Sequence, residues 1–459
     1  MQTVPGFADE QLRLFDSPAI LFWGRKLVHT TLNRRARARS ARSLGAVVLA
    51  AAAVFSGLAA GTATAERAPL SKEQRVDVMP GMRAHAERID AQKPVRQSMA
   101  EGPQGCITTK YSPEGDVLRL RYAGQNRYTT AVCVSYGTWW DHNEPGEDLL
   151  KADSVVLARG DQFPDALAGG PLAAYVNGPL LLTAPDKLLP EVKAEIQRVL
   201  APGGKVFLLG STRSLSAGVN SAITAMGYQT ERLAGGNRFE TAIKIAERMP
   251  TTNLFFVTTG MNFPDALAAG EYAAQYTYYA THAPNVPNRK PIALLFSQDS
   301  IMPVSTGQFA DARAREHDMT LLMMTAGRSA DQAVKASFPP EVIESYVGRS
   351  RFDTAAIIAQ ELYTDPNSGE LFSWGVGLAN GMNFPDALGG TGLLMTYGDP
   401  LLLTQATTLD APTRLFLQHH KGQIVNPNGE PDYLHVFGST VVVSAGVADA
   451  ALNEFSGTD

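Results

Sequence analysis

Arginine and aspartate recur in this chain at places where each could meet a charged partner. Arg127, Arg238 and Arg351 stand 111 and 113 residues apart, each in the pattern Gly-x-x-Arg-aromatic-x-Thr-Ala: GQNRYTTA from Gly124, GGNRFETA from Gly235 and GRSRFDTA from Gly348. Asp165, Asp265 and Asp386 each stand in a copy of Phe-Pro-Asp-Ala, inside ARGDQFPDALAGG, TTGMNFPDALAAG and ANGMNFPDALGG. A guanidinium fork grips carboxylates and phosphates, so three equivalent forks could meet the acidic groups of a polymer. The same fork could instead bind the aspartate of its own unit and tie two helix starts together. A further arginine precedes two of the forks, at Arg121 and Arg232, with Ser345 in the third place; Asn126 and Asn237 lie directly before the first two.

Other chemistry finds less support. Neither GxGxxG nor GxxxxGK[ST] occurs, so no nucleotide cofactor is expected, and HExxH, paired CxxC and GxSxG are absent too. The eight histidines hold no equivalent positions in the copies, and His419-His420 reads as exposed on a helix. No metal is expected. Gly-Ser-Thr at 210–212 and 438–440 could meet sugars but reads better as helix capping after a strand. Arg159-Gly160-Asp161 spells an adhesion tripeptide that the other copies lack, so it reads as a turn. Trp139 and Trp140 could stack on a sugar or cover a core edge. Cys106 and Cys133 are the only cysteines, which permits one disulfide or two buried thiols.

Alternating strands and helices must position these groups. Each Phe-Pro-Asp follows a short apolar run ending near a glycine, as a buried strand does. Proline suits the first position of a helix, and the aspartate after it complements the helix dipole. Gly178-Pro-Leu-Leu-Leu-Thr183 and Asp399-Pro-Leu-Leu-Leu-Thr404 read as second strands, 189–200 as an amphipathic helix, and 205–210 as a third strand. This pattern predicts α/β modules, three in tandem and Rossmann-like, each a mostly parallel sheet with helices on both faces. The expected modules are 117–228, 229–344 and 345–459. Ligands of such sheets sit beyond the carboxyl ends of the strands.

The ends of the charge and hydropathy record differ from the middle. Arginines from Arg34 to Arg42, an uncharged stretch from Leu44 to Ala60 and Ala63-Thr-Ala65 read as a secretory leader over 1–65, with 66–116 as a linker or extension. The chain carries a net charge of −5, and losing a basic leader makes it more acidic. A general nucleic-acid or polyanion binder is therefore excluded, and an acidic ligand needs a local arginine cluster.

Taken together, the arginine blocks, the three Phe-Pro-Asp-Ala segments and the Pro-Leu-Leu-Leu-Thr strands resemble the cell wall binding repeat 2 family of Gram-positive exported proteins. The resemblance covers about 117–455. It implies three modules in a pseudo-threefold arrangement, a secreted or surface location, and non-covalent binding to an anionic secondary wall polymer such as a teichoic-acid-like glycan. Arg127, Arg238 and Arg351, with Arg121, Arg232, Asn126, Asn237, Asp165, Asp265 and Asp386 around them, become the expected ligand contacts. No enzymatic activity, nucleic-acid partner or membrane partner after leader cleavage is expected. Two alternatives stand beside this: a wall hydrolase such as an N-acetylmuramoyl-L-alanine amidase, and a scaffold that contacts proteins.

Overall fold

The computed structural model describes residues 103–457 apart from 146–149, 250–251, 283–289, 317–320, 365–370, 372 and 423–430. The expected leader and most of the expected linker lie outside these residues. The chain opens with β1 (Ile107–Tyr111), β2 (Val117–Tyr122) and α1 (Arg127–Thr138). There follow β3 (Ala152–Arg159), α2 (Pro164–Tyr175), β4 (Leu180–Thr183), α3 (Pro190–Val199), β5 (Leu200–Leu209), α4 (Ala217–Thr224) and β6 (Gln229–Leu233). The next set is α5 (Arg238–Arg248), β7 (Leu254–Thr259), α6 (Pro264–His282), β8 (Ile292–Ser297), α7 (Val304–Glu316), β9 (Leu322–Ala326), α8 (Arg328–Lys335) and β10 (Ile343–Tyr346). The last is α9 (Arg351–Tyr363), β11 (Gly375–Asn380), α10 (Pro385–Tyr397), β12 (Leu401–Thr404), α11 (Ala411–His419), β13 (Asp432–Phe437) and α12 (Ala445–Phe455).

Three lobes result, each a doubly wound α/β unit. Their sheets run β4-β3-β5-β6, β8-β7-β9-β10 and β12-β11-β13-β2-β1. Among the described residues every strand pairing within these sheets is parallel except that of β1 with β2. Strands β7, β8, β11 and β13 are buried along their whole length, as parallel strands between helical layers must be. The prolines of Phe-Pro-Asp-Ala begin α2, α6 and α10 as expected.

The sequence repeat and the sheet repeat are offset by one strand. The fourth strand of the first lobe, β6, leads directly into α5, which packs on β8 of the second lobe. Likewise β10 completes the second sheet, and α9 packs on β12 of the third. The series closes on itself: β2, near the start of the described chain, is the fourth strand of the last lobe, in register with β13 from Asp432–Val117 to Phe437–Tyr122. The helix after it, α1, packs on β4 of the first lobe.

Helices α2, α6 and α10 pack on one another at the centre. Small side chains permit this: Gly170, Gly270 and Thr391 hold equivalent positions, and a Cβ on Gly170 would stand 3.3 Å from Thr391 Cγ2 and 3.6 Å from the Gly270 carbonyl oxygen. Cys106 and Cys133 form a disulfide, with Cα atoms 6.0 Å apart.

Candidate functional site

Each arginine is presented by a tight turn. The N–H groups of Gly124, Gly235 and Gly348 donate to Thr130, Thr241 and Thr354 Oγ1 at 3.2, 3.1 and 3.1 Å, and a Cβ on any of the three glycines would overlap the helix that follows. Asn126, Asn237 and Ser350 cap α1, α5 and α9, accepting from backbone N–H groups of the first turn. The arginine then occupies the first helical position. Its guanidinium donates to the glycine carbonyl that ends the first strand of its lobe: Arg127 to Gly160 at 2.7 Å, Arg238 to Gly260, and Arg351 to Gly381 at 2.7 Å. The aromatic residues after the arginines, Tyr128, Phe239 and Phe352, lie so close to these glycines that a Cβ would meet them.

Each guanidinium also reaches into the lobe before its own. The carbon of Arg127 lies 5.8 Å from the ring centre of Phe384, that of Arg238 5.9 Å from Phe163, and that of Arg351 6.0 Å from Phe263. The three phenylalanines touch one another, with centroids 5.8, 5.7 and 5.5 Å apart. Three rings thus meet where the central helices begin, and three half-buried cations surround them. Cations over ring faces gain electrostatic stabilisation while keeping other donors for a ligand. The sequence marked the arginines but not Phe163, Phe263 and Phe384, although their threefold recurrence was the available signal.

The aspartates follow the same cyclic rule. Arg351 and Arg127 are the cations that act on Asp265 and Asp386, and Arg238 acts on Asp165 together with the nearby Arg159. The expected pairing of arginine with the aspartate of its own unit is therefore corrected: the arginine binds a glycine carbonyl there, and its carboxylate neighbour belongs to the previous unit. Burial pushes all three carboxyls above the ordinary range, partly opposed by hydrogen bonds with Ser214, Thr354 and Thr130 and by the arginines. Each carboxylate lies against the glycine that ends the third strand, Gly210, Gly327 or Gly438, all at positive φ. It fills the crevice between first and third strands where an open sheet of this order takes a ligand.

Arg121 and Arg232 stand apart from the central rings. Arg121 is 5% exposed and donates to the Gly438 carbonyl at 2.8 Å; Arg232 donates to that of Gly210 at 2.8 Å. Burial lowers the Arg121 pKa to about 10, with Arg119 adding to the effect. Both arginines pin the turn of the neighbouring strand. Ser345, in the third place, donates instead to Asp331, which also accepts from Thr325 and Lys335. The missing arginine and the altered turn of the second lobe are thus one local exchange.

Other expectations resolve plainly. His419 is exposed, but His420 is fully buried beside Phe416 and bonded to Gln360 at 3.0 Å, because the helix ends between them. The caps after β5 and β13 are Ser216 and Ser444, not the Gly-Ser-Thr serines. Arg159 and Asp161 form a bidentate pair with each other, which commits both ends of the tripeptide. Trp139 is buried in the core. His435 and Asp399 form a fully buried pair at 3.2 Å. Among the described residues no three His, Cys, Asp or Glu side chains are grouped to hold a metal, and no helix is long and apolar enough to cross a membrane.

The sequence matches the family described as Cell wall binding domain 2 (CWB2) over residues 121–220, 232–280 and 346–448. It is 27% identical over 340 residues to an N-acetylmuramoyl-L-alanine amidase, LytC, of Bacillus subtilis (strain 168), covering 73% of this chain and 58% of the amidase. It is 25% identical over 351 residues to the amidase enhancer of the same organism, covering 75% of this chain and 42% of that protein. The chain thus spans about half the length of these relatives. The fold is similar to that of Cwp8 from Clostridium difficile (TM-score 0.58, 22% identity, 74% of this chain and 52% of that one) and Cwp6 from the same organism (0.59, 19%, 77% and 52%).

Proposed function

This chain belongs to the Cell wall binding domain 2 family, and from that premise we propose that it is a secreted, non-enzymatic protein held on the bacterial cell wall by an anionic secondary wall polymer. The observation that carries the reading is the cyclic set of Arg127, Arg238 and Arg351 around Phe163, Phe263 and Phe384. Guanidinium forks suit the phosphates or carboxylates of a teichoic-acid-like glycan, and the aromatic and apolar surroundings suit sugar faces. Met261 and Met382 are exposed two residues before these rings, which supports an amphipathic ligand over a bare ion. Modules 117–228, 229–344 and 345–459 act together in this reading, because every site draws on two lobes. Simultaneous engagement at three sites supplies avidity.

Wall material carrying its acidic polymer should retain the chain, salt should release it, and wall stripped of that polymer should not retain it. Equal retention on both materials would remove the acidic polymer as receptor. An amidase reading draws on the name of one relative, of which this chain spans 58%. A zymogram on wall material separates the two: a lytic band overturns the non-enzymatic reading.

A further inference from the structure

One of the three junctions between lobes is built unlike the other two. Strands β6 and β10 each follow helices of the lobe whose sheet they complete. Chain continuity therefore anchors them before they hand over to α5 and α9. Strand β2 completes the third lobe but, among the described residues, follows no α-helix of it, only β1. It is held there by hydrogen bonding to β13 and is backed by β1. Two features occur at this junction alone. Gly389 stands where the other central helices have Ala168 and Ala268, and a Cβ there would come within 3.0 Å of the Ala131 Cα, so α1 approaches α10 closely. The disulfide joins Cys106, immediately before β1, to Cys133, the seventh residue of α1. It ties a hairpin in the sheet of the third lobe to a helix packed on the first.

We infer that the Cys106–Cys133 disulfide positions the Arg127 site. It fixes the hairpin against α1, in place of the anchoring that chain continuity gives β6 and β10 at the other junctions. It thereby holds Arg127, at the start of α1, over Phe384 and beside Asp386. Ligand engagement at one of three sites then depends on an oxidised cysteine pair, while Arg238 and Arg351 engage regardless. The inference rests on the proposed wall-contacting role of the arginines for its binding arm, and on geometry alone for its structural arm.

Cys133 is fully buried and Cys106 is 9% exposed, so removal by substitution is a cleaner probe than a reductant. Hydrogen exchange of the full chain is compared with that of the C106S/C133S variant. Protection should fall roughly tenfold or more in the hairpin and α1, and hold in α5 and α9. Equal loss in all three helices, or none, overturns the inference. For the binding arm, retention on isolated wall is measured in a double-mutant cycle. Arg127→Ala added to C106S/C133S should cause no further loss, whereas Arg351→Ala added to it should. Independent losses for Arg127→Ala overturn the positioning role. Should the unaltered chain fail to bind wall, the proposed function falls, and the exchange measurement still decides whether the disulfide orders this junction.

Discussion

A carboxylate stands where many doubly wound sheets admit a ligand, and the residues around it leave little room for anything else. Gly210 combines a φ of +85° with a Cβ position that Asp165 already occupies. Gly203 has a φ of +80° but open space around it. Alanine at 203 should therefore cost only the left-handed backbone term, about 1 kcal/mol, whereas alanine at 210 should cost that plus displacement of Asp165. Thermal denaturation of the two variants measures the difference. A second carboxyl makes a pH prediction. Burial, with Asp116 and Asp399 nearby, raises Asp432 from an ordinary 3.8 to about 7. Because the folded chain holds this proton more tightly than the unfolded one, its contribution is fully present below pH ~3.8 and is lost as pH rises through about 7. Asp432→Asn should raise the melting temperature at pH 8 and leave it nearly unchanged at pH 4. A variant with no gain at pH 8 would refute the assignment.

The central helices show what local pattern reveals and what it leaves out. Their starts were legible because Phe-Pro-Asp-Ala carries its own helix-initiating chemistry: proline at the first position and an acid at the dipole's positive end. The strands before them were legible from apolar runs. The cross-lobe partners were not, because a three-helix contact at Gly170, Gly270 and Thr391 leaves no periodic trace within any one helix. The same gap explains the expected pairing of each arginine with the aspartate of its own unit. Proximity in sequence favoured that choice, and the offset between strand and helix reversed it. Gly170→Leu should overpack this contact at a cost of roughly 1–3 kcal/mol, whereas a leucine at Gly446, where a Cβ meets nothing within 4 Å, should cost far less. Denaturant titration of both variants checks the contrast.

At the scale of the molecule, closure matters more than any single contact. Without residues 103–123, β13 would become an exposed edge, and exposed parallel edges recruit other chains. Such a truncation should self-associate at concentrations where the full chain does not, as size-exclusion chromatography would show. Loss of the disulfide alone should cost about 2–4 kcal/mol by the usual loop-closure argument, with lobes otherwise folded. The shared final strand also limits how this architecture can grow. A solenoid accepts another unit at either tip, since each unit touches only its neighbours. Here β2 already fills the vacancy beside β13 that an additional duplication would need, so a fourth copy could join only by prising that strand away. The number three is written into the topology, and new capabilities must be appended outside the circle instead of by lengthening it.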